Sequence, residues 1–430
     1  MKDKTGLDLP EGYFWYDKSI IKAFDSDGNV HKCYRLKVND DLTMSYSRPK
    51  GYDNESNFEL INWQQLVEMN KEDILQKESD ALQMIKEKME KYKEYKPLIP
   101  TSTGKDSTVT LHLVRQVLPD AEALFNNTTL DCADTYRMAK KIPNCRMLNP
   151  KEGFYQYIKD QNIIFNRISR GCCRIFKVGE MVNQLDHDTK YLMFMGMRNQ
   201  ESSTRSGYED EWVNTAEWGD TKWQGILPIR TWSELDVWLY IFLRDIEVNE
   251  KYKKGYSRCG CAIACPYYGK STWVLDKYWY PIMRKRWEDI LREDFISNKK
   301  WIIMNCTIEE YINQAWNGGS FRAEPTQEVI DEFAEYNGLN VGDTKVARQY
   351  FNKYCSECTT GKDKEGNPKP TRIKSKEVLA MNLKFHGREI DKFLCKKCFM
   401  KLYEMDEAGW KRYVASFKRE HCALFDVYED

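Results

Sequence analysis

The stretch Ser102-Thr103-Gly104-Lys105-Asp106-Ser107 constrains this chain more than any other, because of where it stands. The apolar run Pro97-Leu98-Ile99-Pro100 precedes it. A helical pattern beginning at Asp106, with Val109, Leu113 and Val117 four apart, follows and stops before Pro119. A strand, a tight loop and a helix in that order turn the unpaired amide donors and positive end of a helix toward whatever the loop encloses. Gly104 is expected to take a backbone conformation closed to other residues, so that main-chain N–H groups converge on an anion. Ser102 and Ser107 offer hydroxyls, and Lys105 is expected to act as a mobile cation. The spacing is shorter than that of a Walker loop. Taken alone, the same residues would also serve as an ordinary helix cap.

The alternation continues. A second apolar run, 121–125, ends at Asn126-Asn127-Thr128, and a third, 191–195, ends at Gly196. Strands alternating with helices predict a parallel sheet with crossover connections, whose polar strand ends hold ligands. Around this core, residues 96–250, four further segments are expected. Residues 1–60 read as a β-rich appendage, with runs at 32–38 and 42–46. Residues 61–95 form a charged helical lead-in with Leu66, Met69, Ile74, Leu82, Ile85 and Met89 on its apolar side. Residues 251–345 are cysteine-rich and helical, and residues 346–430 are a metal-binding module with a C-terminal helix.

Lys+Arg and Asp+Glu balance at 66 each, which excludes a general polyanion binder acting through its overall field. No charged start followed by an apolar run marks a leader, and no stretch approaches the roughly 18 apolar residues that span a bilayer. A cytoplasmic location with no membrane partner is therefore expected. In that reducing compartment 14 cysteines point to metal or redox chemistry rather than disulfides.

The phosphate loop resembles the Ser-Gly-Gly-x-Asp-Ser loop of the ATP-pyrophosphatase (PP-loop) superfamily, with Thr103 in place of one glycine. Three more segments are similar, in the same order, to motifs of the phosphoadenosine phosphosulfate (PAPS) reductase family. Asn127-Thr128-Thr129-Leu130-Asp131 through Tyr136 looks like its Asn-Thr-Gly-x-Glu-x-Pro-Glu-Thr segment, and could equally cap the next helix. Gly196-Met197-Arg198-Asn199-Gln200-Glu201-Ser202-Ser203-Thr204-Arg205 matches its Gly-x-Arg-x-x-Glu-Ser-x-x-Arg; two guanidinium groups after a strand suit forked contacts to phosphate or sulfate oxygens. Pro228-Ile229-Arg230-Thr231-Trp232-Ser233-Glu234-Leu235-Asp236-Val237-Trp238 is similar to a fourth motif, and reads as structural: Ser233 caps a helix, Asp236 closes a capping box, and Trp232 staples onto Val237.

Cys172-Cys173-Arg174-Ile175-Phe176-Lys177 resembles the tandem cysteines of cluster-containing members of that family. The resemblance implies a [4Fe–4S] cluster on Cys172, Cys173, Cys261 and Cys265, with Cys259 able to replace one; zinc or buried free thiols are the alternatives. Cys355-x-x-Cys358 and Cys395-x-x-Cys398 are a tetrahedral Zn2+ signature in their own right, with a second redox site as the alternative. The interval between them is expected to hold a polar turn and two β-like pieces, with a helix over 399–405 after it. Lys362, Lys364, Lys369, Arg372, Lys374 and Lys376 lie nearby, and such modules touch nucleic acid, although a solvated charged loop explains the run as well. Glu420-His421-Cys422 is not the Glu-Cys-Gly-x-His motif that carries the nucleophile of PAPS reductases.

The expected fold is thus α/β: a Rossmann-like parallel sheet of the adenine-nucleotide α-hydrolase type, with a small N-terminal β appendage and a C-terminal zinc-ribbon or treble-clef-like module. By resemblance the chain is an enzyme using ATP or PAPS with Mg2+. Ser102, Thr103, Gly104, Ser107, Asn127, Thr128, Gly196, Glu201 and Ser202 would bind the nucleotide, and Lys105, Asp106, Arg198 and Arg205 would act on it. Two chemistries compete. One is adenylylation-dependent sulfur transfer, as in the iron–sulfur ATP pyrophosphatase of DNA phosphorothioation and in enzymes that thiolate tRNA. The other is reduction of a sulfonucleotide to sulfite. A non-catalytic nucleotide-binding regulator is the third reading. A sulfur donor protein or reductant, and nucleic acid as acceptor, are the implied partners; the sequence leaves the oligomeric state open.

Overall fold

The computed structural model describes the chain apart from residues 1–4, 18, 40, 168–170, 203–204, 215–217, 220, 314, 318–324, 343–352, 359–360, 363–364, 387–391, 421, 423–424 and 426–430, and the side chains of residues 302, 303, 315 and 361. Ser203, Thr204, Lys364 and His421, singled out above, lie outside the described residues. By its internal contacts the chain divides into two units, Met1–Phe154 with Cys173–Pro281, and Tyr155–Cys172 with Ile282–Asp430.

The first unit opens with an antiparallel sheet, β1 (Phe14–Asp17), β2 (Ile20–Asp25), β3 (Val30–Val38) and β4 (Met44–Ser47), with β5 (Leu60–Ile61) on β2. Ile21 and Ala23 of β2 close its small core with Cys33, Tyr34 and Leu36 of β3, whose pairing with β2 shifts register at Ile21/Lys22. The helical lead-in is two helices, α1 (Trp63–Met69) and α2 (Lys71–Lys91), because Asn70 ends the first with its side chain on the Leu66 carbonyl, 2.8 Å away.

The second sheet joins β6 (Lys96–Thr101), β7 (Glu122–Asn126), β8 (Cys145–Leu148), β9 (Tyr191–Phe194), β10 (Glu211–Trp212) and β11 (Gln224–Ile226) in the order β10-β11-β9-β6-β7-β8. All its pairings are parallel except β10 with β11. The chain runs outward from β6 through β7 to β8, then returns to the other side of β6 as β9. The β6/β9 boundary is therefore the point where the winding reverses, and its carboxyl end is where such sheets open a crevice.

Burial on both faces explains the continuous apolar strands. On one face Ile99 and Phe194 pack with Val109, Leu113 and Val114 of α3 (Lys105–Val117), with Ile74, Ala81 and Ile85 of α2, and with Val237, Tyr240 and Ile241 of α5 (Glu234–Leu243). On the other face Leu98, Leu124 and Met193 meet Met181, Leu185, Trp218 and Trp223. The helix α4 (Ala133–Lys141) follows β7, and Ser233 and Asp236 do form a reciprocal capping box at the start of α5. Further on, α6 (Lys270–Trp279) buries Trp273, Val274 and Leu275.

In the second unit Trp287, Leu291 and Phe295 of α7 (Pro281–Ser297) pack with Trp301 and Tyr311, and α8 (Gln327–Tyr336) adds Phe333. The cysteine module has a two-residue hairpin, β12 (Gly361–Lys362) with β13 (Pro368–Lys369), then α9 (Lys376–His386), α10 (Lys396–Leu402) and α11 (Glu407–Arg419). The interval between the two knuckles thus holds that hairpin, in keeping with the expected turn and two β-like pieces, and in addition an 11-residue helix that the sequence pattern does not predict. Asn382 pins that helix to the second knuckle, exchanging hydrogen bonds of 2.8 and 2.9 Å with the Leu394 backbone. No helix among the described residues is long and apolar enough to cross a membrane.

Candidate functional site

The loop between β6 and α3 turns at Thr103, whose φ of +57° is left-handed, whereas Gly104 is extended at φ −76° and caps the helix. The expectation for Gly104 is corrected: its lack of a side chain serves close approach. A methyl group there would stand 3.3 Å from the Ser102 hydroxyl oxygen and 3.7 Å from the Tyr252 phenol oxygen. Thr103 bears the left-handed strain because its hydroxyl is held by Asn249, which donates to Thr103 Oγ1 at 2.8 Å and to Thr135 Oγ1 at 3.3 Å.

Ser107 is the loop's internal tie. Its hydroxyl donates to the Gly104 carbonyl at 3.0 Å and accepts from the Ser102 N–H at 3.2 Å. The Thr103 N–H goes to Thr101 Oγ1 at 3.2 Å, and the Lys105 N–H to the Tyr252 phenol oxygen at 2.8 Å. What remains is informative. The N–H groups of Gly104 and Asp106 have no acceptor among the described residues, and Gly104 is buried. Buried orphan donors are rare in folded proteins, and at a helix N-terminus their geometry suits an anion. Ser102 is the loop's exposed hydroxyl.

Charge around the loop is paired. Lys105, expected to be mobile, is 6% exposed, with its ammonium 3.1 Å from Asp106 and 3.4 Å from Glu234. Arg198, 4% exposed, directs its guanidinium onto the other Asp106 oxygen. Arg198 and Arg205 are linked through Glu201, whose carboxylate accepts the Arg198 N–H at 3.1 Å and pairs with Arg205. The turn is completed by the Ser202 hydroxyl, which accepts the Arg205 N–H at 3.3 Å. Gly196 is required sterically, since a methyl group there would stand 2.6 Å from the Asp106 carbonyl oxygen.

Asn127 and Thr128 are engaged in their own turn. Asn127 Oδ1 accepts from the Thr129 N–H and the Tyr136 hydroxyl, and Thr128 donates to Asp131 at 2.7 Å. The residue that sequence reasoning passed over is Asn126, at the ligand end of β7. Its amide donates to the Lys177 carbonyl at 2.9 Å, and its buried Oδ1 has no donor. Asn249 and Tyr252 were missed as well, because they lie in no motif. Cys259 is part of the same wall: its carbonyl oxygen is 3.9 Å from the notional Gly104 methyl, and burial pushes its thiol up to about 12.

Of the four thiols that resemblance implies for a cluster, Cys173, Cys261 and Cys265 belong to the first unit and Cys172 to the second. The three in the first unit border Lys177, whose pKa they raise, Cys261 first, against the opposing effect of its burial. A π-helical turn, Arg174–Gly179, carries that lysine; it closes over Gly179, where a methyl group would meet the Arg174 carbonyl at 2.7 Å. Thiol donors beside a lysine suit a cluster's chemistry. Among the described residues the one group of metal-ligating side chains with all its ligand atoms within 4.8 Å of one another is a different one, Cys355, Cys358, Cys395 and Cys398.

That group fits a single ion. Tetrahedral thiolates at about 2.3 Å from zinc lie about 3.8 Å apart, and Cys358 and Cys395 sulfurs are 3.7 Å apart. A cubane, with one thiolate per iron, needs a wider set. Cys395 caps α10 and Cys398 lies in its first turn; as free thiols, Cys398 has its pKa raised by burial and then by the neighbouring thiols, and Cys395 has its pKa raised by burial. Magnesium is different: Asp106, the carboxylate of the loop itself, is already bracketed by Arg198 and Lys105. A magnesium ion there would come with nucleotide phosphates rather than be held by protein alone.

A parallel α/β sheet with a glycine-containing loop leading into a helix at its reversal point is the architecture that PP-loop proteins share with other doubly wound folds. Residues 96–266 match the phosphoadenosine phosphosulfate reductase domain, which puts that part of the chain in the PAPS reductase family of the PP-loop superfamily. It is 30% identical over 252 and 282 residues to two uncharacterized proteins of Methanocaldococcus jannaschii, covering 55% and 64% of this chain. The chain spans 58% and 55% of the length of those two relatives. It is 29% identical over 181 residues to an adenosine 5'-phosphosulfate reductase of a Geobacillus species, covering 40% of this chain and 74% of that protein. A PAPS reductase structure from Candida auris, solved with phosphate, superposes with a TM-score of 0.30 at 18% identity, covering 39% of this chain and 81% of that one.

Proposed function

We propose that the β6–α3 loop binds ATP and that the chain catalyses adenylylation-dependent sulfur transfer, with nucleic acid as the acceptor. The observation that carries this reading is the pair of unfilled main-chain donors at Gly104 and Asp106, beside Arg198. In the proposed reaction an acceptor oxygen attacks the α-phosphorus and pyrophosphate leaves. A hydrosulfide equivalent then attacks the activated acceptor carbon, and AMP departs with the oxygen. The loop amides and Ser102 would hold the leaving pyrophosphate. Arg198, swinging from Asp106, would meet the charge that grows at the α-phosphate, with Arg205 behind it on the same turn. The free Asn126 oxygen suits an N–H of the bound nucleotide.

The cysteines Cys173, Cys261 and Cys265, with Cys172, are proposed to hold an iron–sulfur cluster that binds the incoming sulfur, and Cys355, Cys358, Cys395 and Cys398 a structural zinc ion. The test is turnover: anaerobically purified protein given ATP, sulfide and nucleic acid should release AMP and pyrophosphate, and loss of ATP turnover with every nucleic acid tried would sink the reading. The relatives named adenosine 5'-phosphosulfate reductase favour a second one, in which a thiolate attacks the sulfonucleotide sulfur, the S–O bond breaks, and a dithiol releases sulfite. Sulfite formed from a sulfonucleotide, dependent on one cysteine, would put that reading first.

A further inference from the structure

The first unit contains a cavity of about 330 Å³ that none of the motifs explains. It lies where the N-terminal sheet meets the α/β core. Trp15 of β1 supplies one wall, Trp238 and Phe242 of α5 another, and Tyr252, Tyr278 and Trp279 much of the remainder. The volume falls at the small end of the range for small-ligand pockets, roughly 300–1,000 Å³. A recess of that size suits one flat ring system with a sugar.

The rings are set as walls at right angles. Trp15 meets Trp238 edge-on at 5.9 Å and 88°, Trp238 meets Tyr252 at 4.9 Å and 85°, and Tyr278 meets Trp279 at 4.7 Å and 83°. Such a box offers both faces and edges to a planar guest. The charged groups of the lining are Glu234, Lys253 and Lys254, the last held by Asp134 at 2.5 Å and lying 5.5 Å from the Trp279 ring centroid. Glu234 presents a carboxylate that can accept from ring N–H donors, and Lys253 is a surface cation paired with exposed Glu250. Surface pairs of that kind are weak and yield readily to a phosphate.

Two of the lining residues also belong to the phosphate loop's surroundings. The Tyr252 phenol accepts the Lys105 N–H at 2.8 Å, and Glu234 lies 3.4 Å from the Lys105 ammonium. The cavity and the loop therefore share a wall. We infer that this cavity receives a single unpaired nucleobase of the acceptor, stacked among Trp15, Trp238 and Trp279, with the adjoining backbone phosphate at Lys253. Aromatic rings with a nearby cation are the usual means of holding unpaired bases, and base pairing would keep a base out of a recess of this size. The N-terminal sheet thereby acquires a role, as the outer wall of an acceptor site. The inference deepens the sulfur-transfer reading and rests on it for chemistry, but base binding is measurable without turnover, so the two can fail separately.

The test is fluorescence anisotropy of labelled single-stranded RNA and DNA oligonucleotides with the full chain, alongside equilibrium dialysis of the free nucleosides. Single strands should bind, and the same sequences as duplexes should bind much less. Trp279→Ala, at a position already 40% exposed, should weaken single-strand binding about ten- to a hundredfold, and Lys253→Gln should lower its salt dependence. Trp15→Phe, which keeps an aromatic ring, should weaken it less than Trp15→Ala. Free nucleosides binding as tightly as strands would assign the cavity to a small-molecule acceptor. Unaltered binding in both Trp279→Ala and Trp15→Ala, or competition between AMP and the strand in the absence of turnover, would overturn the inference.

Discussion

Gly196, at the end of β9, touches the first turn of α3 so closely that a Cβ on it would lie 2.6 Å from the carbonyl oxygen of Asp106 and 2.8 Å from the amide nitrogen of Ser107. Two motifs far apart in sequence are therefore locked through bare backbone, and the loop's position is set from the β9 side. Both contacts are to main chain, which cannot move away as a side chain could. Gly196→Ala is expected to lower stability by about 1–3 kcal/mol and to weaken ATP binding further by displacing the Asp106 amide. Denaturant unfolding and ATP titration of the same variant separate the two effects; wild-type affinity in a folded variant would show that the loop tolerates the shift.

Arg198 is a positioning group in the resting protein and a candidate catalytic group only if it leaves Asp106. Arg198→Lys keeps the charge and loses the planar fork. ATP turnover should drop about tenfold or more, while thermal stability falls little because a cation still faces Asp106. Arg198→Ala should lose stability as well, since it leaves a mostly buried carboxylate with Lys105 as its remaining partner. Equal loss of stability in both variants would reduce Arg198 to a structural ion pair.

The four-cysteine group predicts one zinc ion per chain by elemental analysis. A chelator, or Cys395→Ser, should unfold the module around α9–α11 while the α/β core keeps its nucleotide affinity. The physical reason is that Cys395 and Cys398 fix the start of α10, and Phe399 behind them packs on Trp410 with ring centroids 5.5 Å apart. Limited proteolysis with and without chelator reads this directly, and an unchanged cleavage pattern would count against a structural metal.

The α/β core was legible because its strands are buried on both faces and its loops carry residues with few alternatives. The runs near 98, 124 and 193 became β6, β7 and β9 within a residue or two, and Ser233 and Asp236 capped as the pattern implies. The conformation of the loop was not legible. Glycine at 104 suggested a left-handed turn there, yet the strain falls on Thr103, because a hydrogen bond from Asn249, 146 residues away, holds its hydroxyl. Local sequence cannot show such a partner. The same holds for Tyr252, which caps α3 from outside any motif, and for the helix α9, whose anchor at Asn382 is a tertiary contact. Lys105 looked mobile because lysine ordinarily is; its carboxylate partner Glu234 comes from the start of another helix.

The N-terminal sheet carries its own pH dependence through His31. Its ring stacks on Phe58 at 3.9 Å, and its two nitrogens face Asp25 at 2.8 Å and Asp53 at 3.2 Å. The hydrogen bond to Asp25 raises the His31 pKa above its usual 6.5, and the same bond holds Asp25 near 2, below its usual 3.8. For a histidine whose folded pKa is raised, the stabilisation is complete below the unfolded value and disappears as pH rises through the folded one. For the depressed aspartate it is complete above 3.8 and disappears as pH falls through about 2. The pair therefore stabilises the sheet most between about pH 4 and 6.5 and loses that hold as pH rises through the histidine's raised pKa. His31→Gln should remove that loss, so that wild type and variant differ in thermal midpoint at about pH 5.5 and converge once the pH has passed the raised histidine pKa. Because β1 and β3 of this sheet contribute Trp15 and Leu36 to the aromatic cavity, single-strand binding should weaken over the same rise in pH in the wild type and not in His31→Gln. A flat difference in midpoint across that range would mean that His31 stays neutral in the folded chain.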